Sequence, residues 1–281
     1  MKRCLHIAIY FTAMLFLACC GNSENNSHNA TAENGSDRES TATAVDCFTV
    51  YNTSVAFPID TINRRTSPQL TIEISLPVAC GESRRCELIN NAISYAAFNI
   101  DTTDIYKAAE RFVEACKEEY YDMHPDYINE KGTNSYPAWF NFSYTINGKI
   151  SHERNGVICC TMNNSEYTGG AHGMEYTIYL NIDSISGHEL KLNDIFVDGC
   201  EEVLCSHITT ALMRKLNVQS ISEVKEKGYL TMNDMFITDN FKLESDSIIF
   251  HYNRYEIAPY CMGNTRIALG YNEIKDLLIK Q

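Results

Sequence analysis

The residues best able to do chemistry lie in two short segments that are far apart along the chain. The first reads EYTGGAHG at residues 166–173, and the second reads HYNRYEIAPY at residues 251–260. If His172 and Glu256 met, they could act as a general acid–base pair. Tyrosine and histidine are also good contact residues, since they add apolar area with a polar tip at low entropic cost. The candidate partner-binding residues are Tyr167, Gly169, Gly170, His172, Tyr255, Glu256 and Tyr260.

The glycine-rich segment lacks the context of a phosphate-binding loop. Neither GKS nor GKT follows it, and no strand and helix flank a GxGxxG motif. Neither GxSxG nor HExxH is present, so we expect no catalytic residue and no cofactor. Glycines there permit positive φ and close backbone approach, which would bring Tyr167 and His172 beside other strands. For these residues we favour an architectural role, in which both side chains satisfy hydrogen bonds within a tight loop, and contact with a partner is the functional alternative.

Cysteines are frequent beyond the first forty-six residues. An oxidising compartment permits them to pair, but their spacing does not determine the connectivity. Cys80 and Cys86 flank a polar turn and could close it. Cys200, Cys205 and His207 lack the CxxC pairs of a zinc site, so we expect no metal and interpret these cysteines as buried thiols or a disulfide. The full set is Cys47, Cys80, Cys86, Cys116, Cys159, Cys160, Cys200, Cys205 and Cys261.

The amino terminus has the layout of an export signal. A basic start precedes an apolar stretch at residues 4–18 that is too short for a comfortable membrane span. The next residues resemble the bacterial lipobox, in which a small residue precedes the cysteine that is acylated. The favoured frame makes Cys20 the lipidated residue, and Cys19 is the alternative. We therefore predict a lipoprotein signal peptide at residues 1–20 and a membrane-anchored location in the cell envelope, facing the periplasm or the exterior.

Residues 21–44 are polar and contain no aromatic side chain, which predicts a flexible tether. The rest of the chain is rich in tyrosine, phenylalanine, isoleucine and leucine, enough for one large domain or two small lobes. The formal net charge of −13 argues against nucleic acid and anionic lipid as ligands. A basic protein partner would instead be steered towards this chain.

Hydrophobic periodicity predicts an α+β fold with a largely antiparallel sheet and packed helices. Apolar residues alternate at 70–76 and at 140–146, where Asn147 and Gly148 then signal a hairpin turn. Helical spacing occurs at 89–100, 105–120 and 201–216, and a short final helix is expected around Ile274 and Leu278. Further strands are predicted at 48–57 (with a break), 149–162, 176–182, 240–243, 247–252 and 265–269.

The two chemistry-bearing segments, together with the stretch LKLNDIF at residues 190–196, resemble the extracellular domain of the RsiV family of lysozyme-sensing anti-sigma factors and related lipoproteins of unknown function. The resemblance covers residues 45 to the carboxyl end. It implies two portions, at residues 45–135 and 136–281, of which the first is shared with some peptidoglycan deacetylases. It also implies lysozyme binding without catalysis.

The sequence departs from the sensing members of that family, because we find neither a sigma-binding segment nor a membrane-spanning helix. We therefore expect a stand-alone envelope lipoprotein that is not an enzyme and that binds a lysozyme-like muramidase or another cell-wall-associated protein. The alternative is a cell-wall or glycan hydrolase that uses His172 and Glu256.

Overall fold

The computed structural model describes residues 47–130 and 138–280. The predicted signal peptide and tether, with Cys19 and Cys20, lie outside the described residues. Three segments of the chain build the fold in order. The first comprises β1 (Phe48–Pro58), β2 (Gln69–Ala79), α1 (Arg84–Phe98), α2 (Ile105–Asp122) and α3 (His124–Glu130). The second comprises a short 3₁₀ helix (Ala138–Phe140), β3 (Phe142–Ser151), β4 (Val157–Tyr167) and β5 (Met174–Asp183). The third comprises α4 (Leu192–Ile195), α5 (Glu201–Leu216), α6 (Ile221–Glu226), β6 (Phe241–Leu243), β7 (Ser247–Tyr252), a second 3₁₀ helix (Tyr260–Met262) and β8 (Thr265–Gly270).

A five-stranded sheet in the order β1-β2-β3-β4-β5 forms the larger layer. All neighbouring strands are antiparallel except β2 and β3, which run parallel. Parallel neighbours need a long crossover, and α1 and α2 supply it. Alternate residues of β2, from Leu70 to Leu76, are buried in a core that also includes Ile89 and Ile93 of α1. The helices therefore cover one face of this sheet.

Side-chain caps set the starts of both long helices. The Ser83 hydroxyl accepts a hydrogen bond from Cys86 N, and the Asp104 carboxylate accepts one from Lys107 N, which satisfies amide groups that have no partner within the helix. Helix α1 ends at Asn99, which adopts a left-handed conformation with φ 55°. Asn99 and Asp104 therefore separate α1 from α2.

A second, antiparallel sheet in the order β6-β7-β8 packs with α5 around a separate core. Amide side chains join this sheet to β5, the edge strand of the first sheet. Asn181 donates to Phe241 O at 2.7 Å and accepts from Leu243 N at 2.9 Å, while Asn240 accepts from Tyr179 N at 2.9 Å. Carboxamides therefore pair backbone groups that would otherwise be unpartnered at this buried junction.

The predicted hairpin turn at Asn147 and Gly148 is wrong, because both residues lie within β3, which pairs with β4 as far as Ser151. A Cβ on Gly148 would lie 2.8 Å from Pro77 Cδ and 3.0 Å from Leu76 Cδ2. Glycine is needed here for close packing against β2. The turn between β3 and β4 instead contains Gly156, whose φ is +77°.

The expected final helix is also absent from the described residues. Around Ile274 the chain makes tight turns, and Leu278 then forms a bridge with Phe196. Val197 N donates to Leu277 O, and Ile279 N donates to Ile195 O. The backbone of this segment therefore pairs with residues 195–197, at the end of α4 and just after it, so it cannot form a helical ladder.

The α+β class and the packed helices are confirmed. The two expected portions, 45–135 and 136–281, share one sheet, because β2 of the first pairs with β3 of the second. The two cores instead draw mainly on residues before Asp183 and after Leu190, respectively. Within residues 47–130 and 138–280, no helix is both long and apolar enough to cross a membrane.

Candidate functional site

Two loops from different sheets meet at one end of β5. The loop at residues 168–173 joins β4 to β5, and the loop at residues 253–260 follows β7. Their contact is direct: the ring of His172 stacks on that of Tyr260, with centroids 4.0 Å apart and 21° between the planes. The Tyr260 hydroxyl also donates to Gly173 O at 3.0 Å. The structure therefore brings together residues from both sequence segments.

The first loop has its shape because glycine occupies two tight positions. A Cβ on Gly173 would lie 2.6 Å from Glu166 O, and one on Gly169 would lie 2.9 Å from Trp139 O. Gly169 and Gly170 both have positive φ, at +90° and +91°. The Tyr167 hydroxyl donates to Gly170 O at 3.0 Å and closes the turn. These contacts leave His172 exposed beside the second loop.

Polar contacts hold the second loop against β5. Asn253 accepts from Thr177 N at 2.8 Å and donates to Thr177 O at 3.1 Å, as a neighbouring strand would. Arg254 pairs with Glu175 at 3.0 Å, and its guanidinium carbon lies 4.3 Å from the centroid of the Tyr260 ring. An arginine over an aromatic face is attracted to it electrostatically. Tyr260 is therefore fixed by contacts with both loops.

Tyr255 adopts an unusual backbone conformation at the tip of the second loop. Its φ is 71°, in the left-handed region where a bulky residue is strained. Its side chain is 53% exposed, and its ring centroid lies 5.6 Å from that of Tyr260. The fold thus tolerates local strain at a residue whose aromatic ring faces solvent, an arrangement found often at functional sites.

Glu256 and His172 face different partners. The Glu256 carboxylate accepts a hydrogen bond from Asn253 N at 2.9 Å, and burial raises its pKa. His172 Nδ1 lies 3.1 Å from Gly173 O. Glu256 therefore shapes its own loop, and the local geometry does not favour the two side chains as an acid–base pair.

Trp139, Arg254 and Glu175 belong to this site but were not identified from the sequence. Trp139, the single tryptophan of the chain, lies in the first 3₁₀ helix, contacts the glycine-rich loop and is 49% exposed. The sequence does show that the chain has a single tryptophan, but its exposure is visible only in the structure. We call the set Trp139, Tyr167, His172, Arg254, Tyr255 and Tyr260 the loop cluster.

A shallow cleft of about 170 Å³ opens beside the loop cluster. Its volume is below the roughly 300–1,000 Å³ typical of small-molecule sites. This size suits contact with a protein surface better than enclosure of a substrate. The cleft is lined by Ser143, Ser165, Glu166, Tyr167, Gly173, Met174, Glu175 and Tyr260.

Cys200 directly precedes α5, and Cys205 and His207 lie within it, but the three do not form a metal site. Cys200 is buried, and the thiol of Cys205 donates to Met235 O at 3.4 Å. Burial raises the pKa of both thiols, which disfavours the thiolate that a metal would bind. In the part of the chain that the structure describes, no three side chains of histidine, cysteine, aspartate or glutamate are grouped to hold a metal ion.

Two family models match the chain in succession. Residues 64–175 match the family described as Deacetylase PdaC, and residues 193–272 match a family described as a protein of unknown function, DUF3298. The predicted two-part organisation, with its first part shared with a peptidoglycan deacetylase, is confirmed. The first match contains the glycine-rich loop and the second contains residues 253–260, so neither match contains both loops.

The chain is similar to peptidoglycan-N-acetylmuramic acid deacetylase PdaC of Bacillus subtilis, with 23% identity over 230 residues. This alignment covers 77% of the chain but 44% of the relative, so the chain spans less than half the length of that enzyme. A solved DUF3298 family structure from Bacteroides fragilis has a TM-score of 0.74 and 28% identity, covering 84% of this chain and 95% of that one. A DUF3298 family protein from Pseudomonas aeruginosa shares the fold at a TM-score of 0.56 and 16% identity, covering 83% and 95%, respectively.

Proposed function

We propose that this chain is a non-catalytic binding module of the cell envelope whose loop cluster docks a cell-wall-associated protein, such as a lysozyme-like muramidase. The stacked pair His172 and Tyr260 carries the proposal, because it joins the two loops and places the exposed His172 against the half-buried ring of Tyr260. Tryptophan, tyrosine and arginine dominate the binding energy of protein interfaces. Arg254 and Tyr255 contact the Tyr260 ring, and the exposed Trp139 lies beside Gly169 in the same loop as His172.

The charge of the chain supports a basic partner. The formal net charge is −13, and the side chain of Glu175 beside the loop cluster is well exposed. An acidic surface steers a basic protein towards it and accelerates association at low ionic strength. Lysozyme-like muramidases of basic character fit this requirement.

Similarity to a peptidoglycan deacetylase supports a cell-wall setting. Residues 64–175 match a family named for a deacetylase, and the curated relative acts on peptidoglycan according to its name. Lipidation at Cys20, or at Cys19 in the alternative frame, would hold the module at a membrane outside the cytoplasm. A tether at residues 21–44 would then let the folded domain reach partners beyond the membrane surface.

Calorimetric titration of the purified protein with purified lysozyme tests the proposal. We expect binding in 20 mM salt that weakens about tenfold as the salt rises to roughly 300 mM, because screening shortens the range of the attraction. Absence of binding at the lowest salt concentration would exclude a muramidase as the partner.

The alternative is a cell-wall or glycan hydrolase. One observation favours it: Glu256 has a raised pKa, as a general acid requires. Purified peptidoglycan should then release soluble fragments when the protein is added, and the folded variants His172→Ala and Glu256→Gln should each abolish that release. Fragment release that survives in both variants would exclude these residues from catalysis, and no release by the native protein would leave binding as the function.

A further inference from the structure

Cys47 and Cys80 face each other at one corner of the five-stranded sheet. They stand one position beyond the paired residues Phe48 and Ala79, and Cys80 N donates to Cys47 O at 2.8 Å. Directly opposed residues in antiparallel strands have Cα atoms about 4.5–5.5 Å apart, within the roughly 4.4–6.8 Å that a disulfide spans. The neighbouring side chain of Cys80 is the main cause that raises the pKa of the Cys47 thiol.

Cys86 is the third thiol of this corner, but its sulfur is engaged elsewhere. It lies 3.0 Å from the backbone oxygen of Cys80 and 3.2 Å from the hydroxyl of Ser83, and the residue is buried in the first turn of α1. Cys47 is exposed and Cys80 is partly exposed, so external reagents can reach those two. The geometry thus separates one opposed and accessible pair from a neighbouring buried thiol.

We propose that Cys47 and Cys80 form a disulfide that ties the start of β1 to the end of β2. The oxidant is an external disulfide. One cysteine thiolate attacks it and forms a mixed disulfide, and the second thiolate then attacks the first cysteine's sulfur. One new S–S bond joins the two cysteines, and the external disulfide leaves as two thiols, which accept the two protons.

The bond would stabilise the start of the folded domain, next to the predicted tether. Cys47 lies close after the predicted tether at residues 21–44, and β1 is an edge strand whose backbone pairs only with β2 among the described strands. An edge strand that begins at a tether is the element most exposed to fraying and to pulling. A disulfide at this position would prevent β1 from peeling away from β2.

Peptide mapping tests the pairing. The purified protein is oxidised with glutathione disulfide, its free thiols are blocked, and it is digested with trypsin. Cleavage after Arg64 or Arg65 and after Arg84 or Arg85 places the three cysteines on separate peptides. We expect the Cys47 and Cys80 peptides to be linked and Cys86 to be blocked. A Cys80–Cys86 link, or three blocked thiols, would overturn the proposal.

Thermal unfolding gives a second readout with matched variants. Oxidation should raise the melting temperature of the native protein and of Cys86→Ser by about 10 °C, because the bond closes a long loop of the unfolded chain. The same treatment should leave Cys47→Ser unchanged, while Cys261→Ser, which alters an exposed cysteine beyond this corner, should behave like the native protein. An equal rise in Cys47→Ser would contradict the assignment.

Discussion

The ring of His172 stacks on that of Tyr260 with centroids 4.0 Å apart, although 88 positions separate the two residues in the chain. The contact connects the loop after β4 with the loop after β7, and the Tyr260 hydroxyl adds a hydrogen bond to Gly173 O. Because each loop belongs to a different sheet, the junction between the sheets determines whether the aromatic surface exists. Mutations at the loops and at the junction should therefore have separable effects.

Gly173→Ala should damage both the loop and the binding of lysozyme. The new Cβ would lie 2.6 Å from Glu166 O, so the backbone must move and take Gly173 O away from Tyr260. We expect a loss of about 1–3 kcal/mol in the free energy of unfolding, as for other overpacked sites. Urea denaturation measures this change.

Gly170→Ala is the matched control for that loop. Its Cβ would meet open space, and only the positive φ of +91° opposes the substitution, at a cost of about 1 kcal/mol. Equal stability of Gly173→Ala and the native protein would show that the close approach to Glu166 is not needed.

Tyr255→Asn should separate stability from binding. Asparagine tolerates the left-handed conformation better than tyrosine, so relief of strain should raise the free energy of unfolding by up to about 1 kcal/mol. The same change removes an exposed aromatic ring and should weaken lysozyme binding. Loss of stability together with unchanged binding would mean that the ring serves the fold alone.

His251 should make stability fall in mild acid. It is 3% exposed between Tyr179, Asn253 and the charge of Arg266, and burial lowers its pKa to about 4. The unfolded chain therefore binds more protons between pH 6.5 and 4, and about 3 kcal/mol of stability should be lost as the pH falls through that window.

His251→Gln isolates that contribution. Burial raises the pKa of Glu256, which has the opposite effect on stability in acid, so the informative quantity is the difference between the native and variant curves. Urea denaturation at pH 7 and at pH 5 should show a smaller loss in the variant. Parallel curves would mean that His251 does not titrate in the folded protein with a lowered pKa.

Asn181→Leu should weaken the junction between the sheets. The side chain is 2% exposed and bonds Phe241 O and Leu243 N, so its loss leaves two buried backbone groups unpaired. We expect a cost of about 2–4 kcal/mol. Asn163→Ala, which removes one solvent-exposed hydrogen bond from the Thr177 hydroxyl and leaves no buried group unpaired, should cost less than about 1 kcal/mol. Similar costs for the two variants would argue against the amide junction.

Local patterns predicted most of the elements because they record burial directly. The alternation in β2 and the helical spacing in α1, α2 and α5 matched the observed strands and helices closely. The hairpin predicted at Gly148 was wrong because glycine serves another purpose there. It leaves room for Pro77 and Leu76, which lie on a strand that is distant in sequence. The prediction of a final helix was wrong for the same reason, since the backbone of that segment pairs with residues 195–197, which are distant in sequence.

The site was predictable in its residue types but not in its assembly. Both loops were identified from their tyrosines, histidine and glycines. Their meeting depends on Asn253 against Thr177 and on Arg254 against Glu175, and these contacts join residues more than seventy positions apart. No local periodicity encodes such contacts. The sequence also placed Glu256 among the contact residues, whereas its carboxylate accepts a backbone hydrogen bond within its own loop.

The central claim is tested most directly by measuring the dissociation constant for lysozyme. The measurement compares three proteins: the native protein, Tyr260→Ala and Tyr95→Ala. Tyr260 contacts both loops, whereas Tyr95 is an exposed tyrosine on α1. We predict that Tyr260→Ala, still folded by thermal unfolding, binds lysozyme about thirtyfold or more weakly, as expected for a residue that dominates an interface, while Tyr95→Ala binds normally. Equal affinity of all three proteins, or no binding by any of them, would contradict the account.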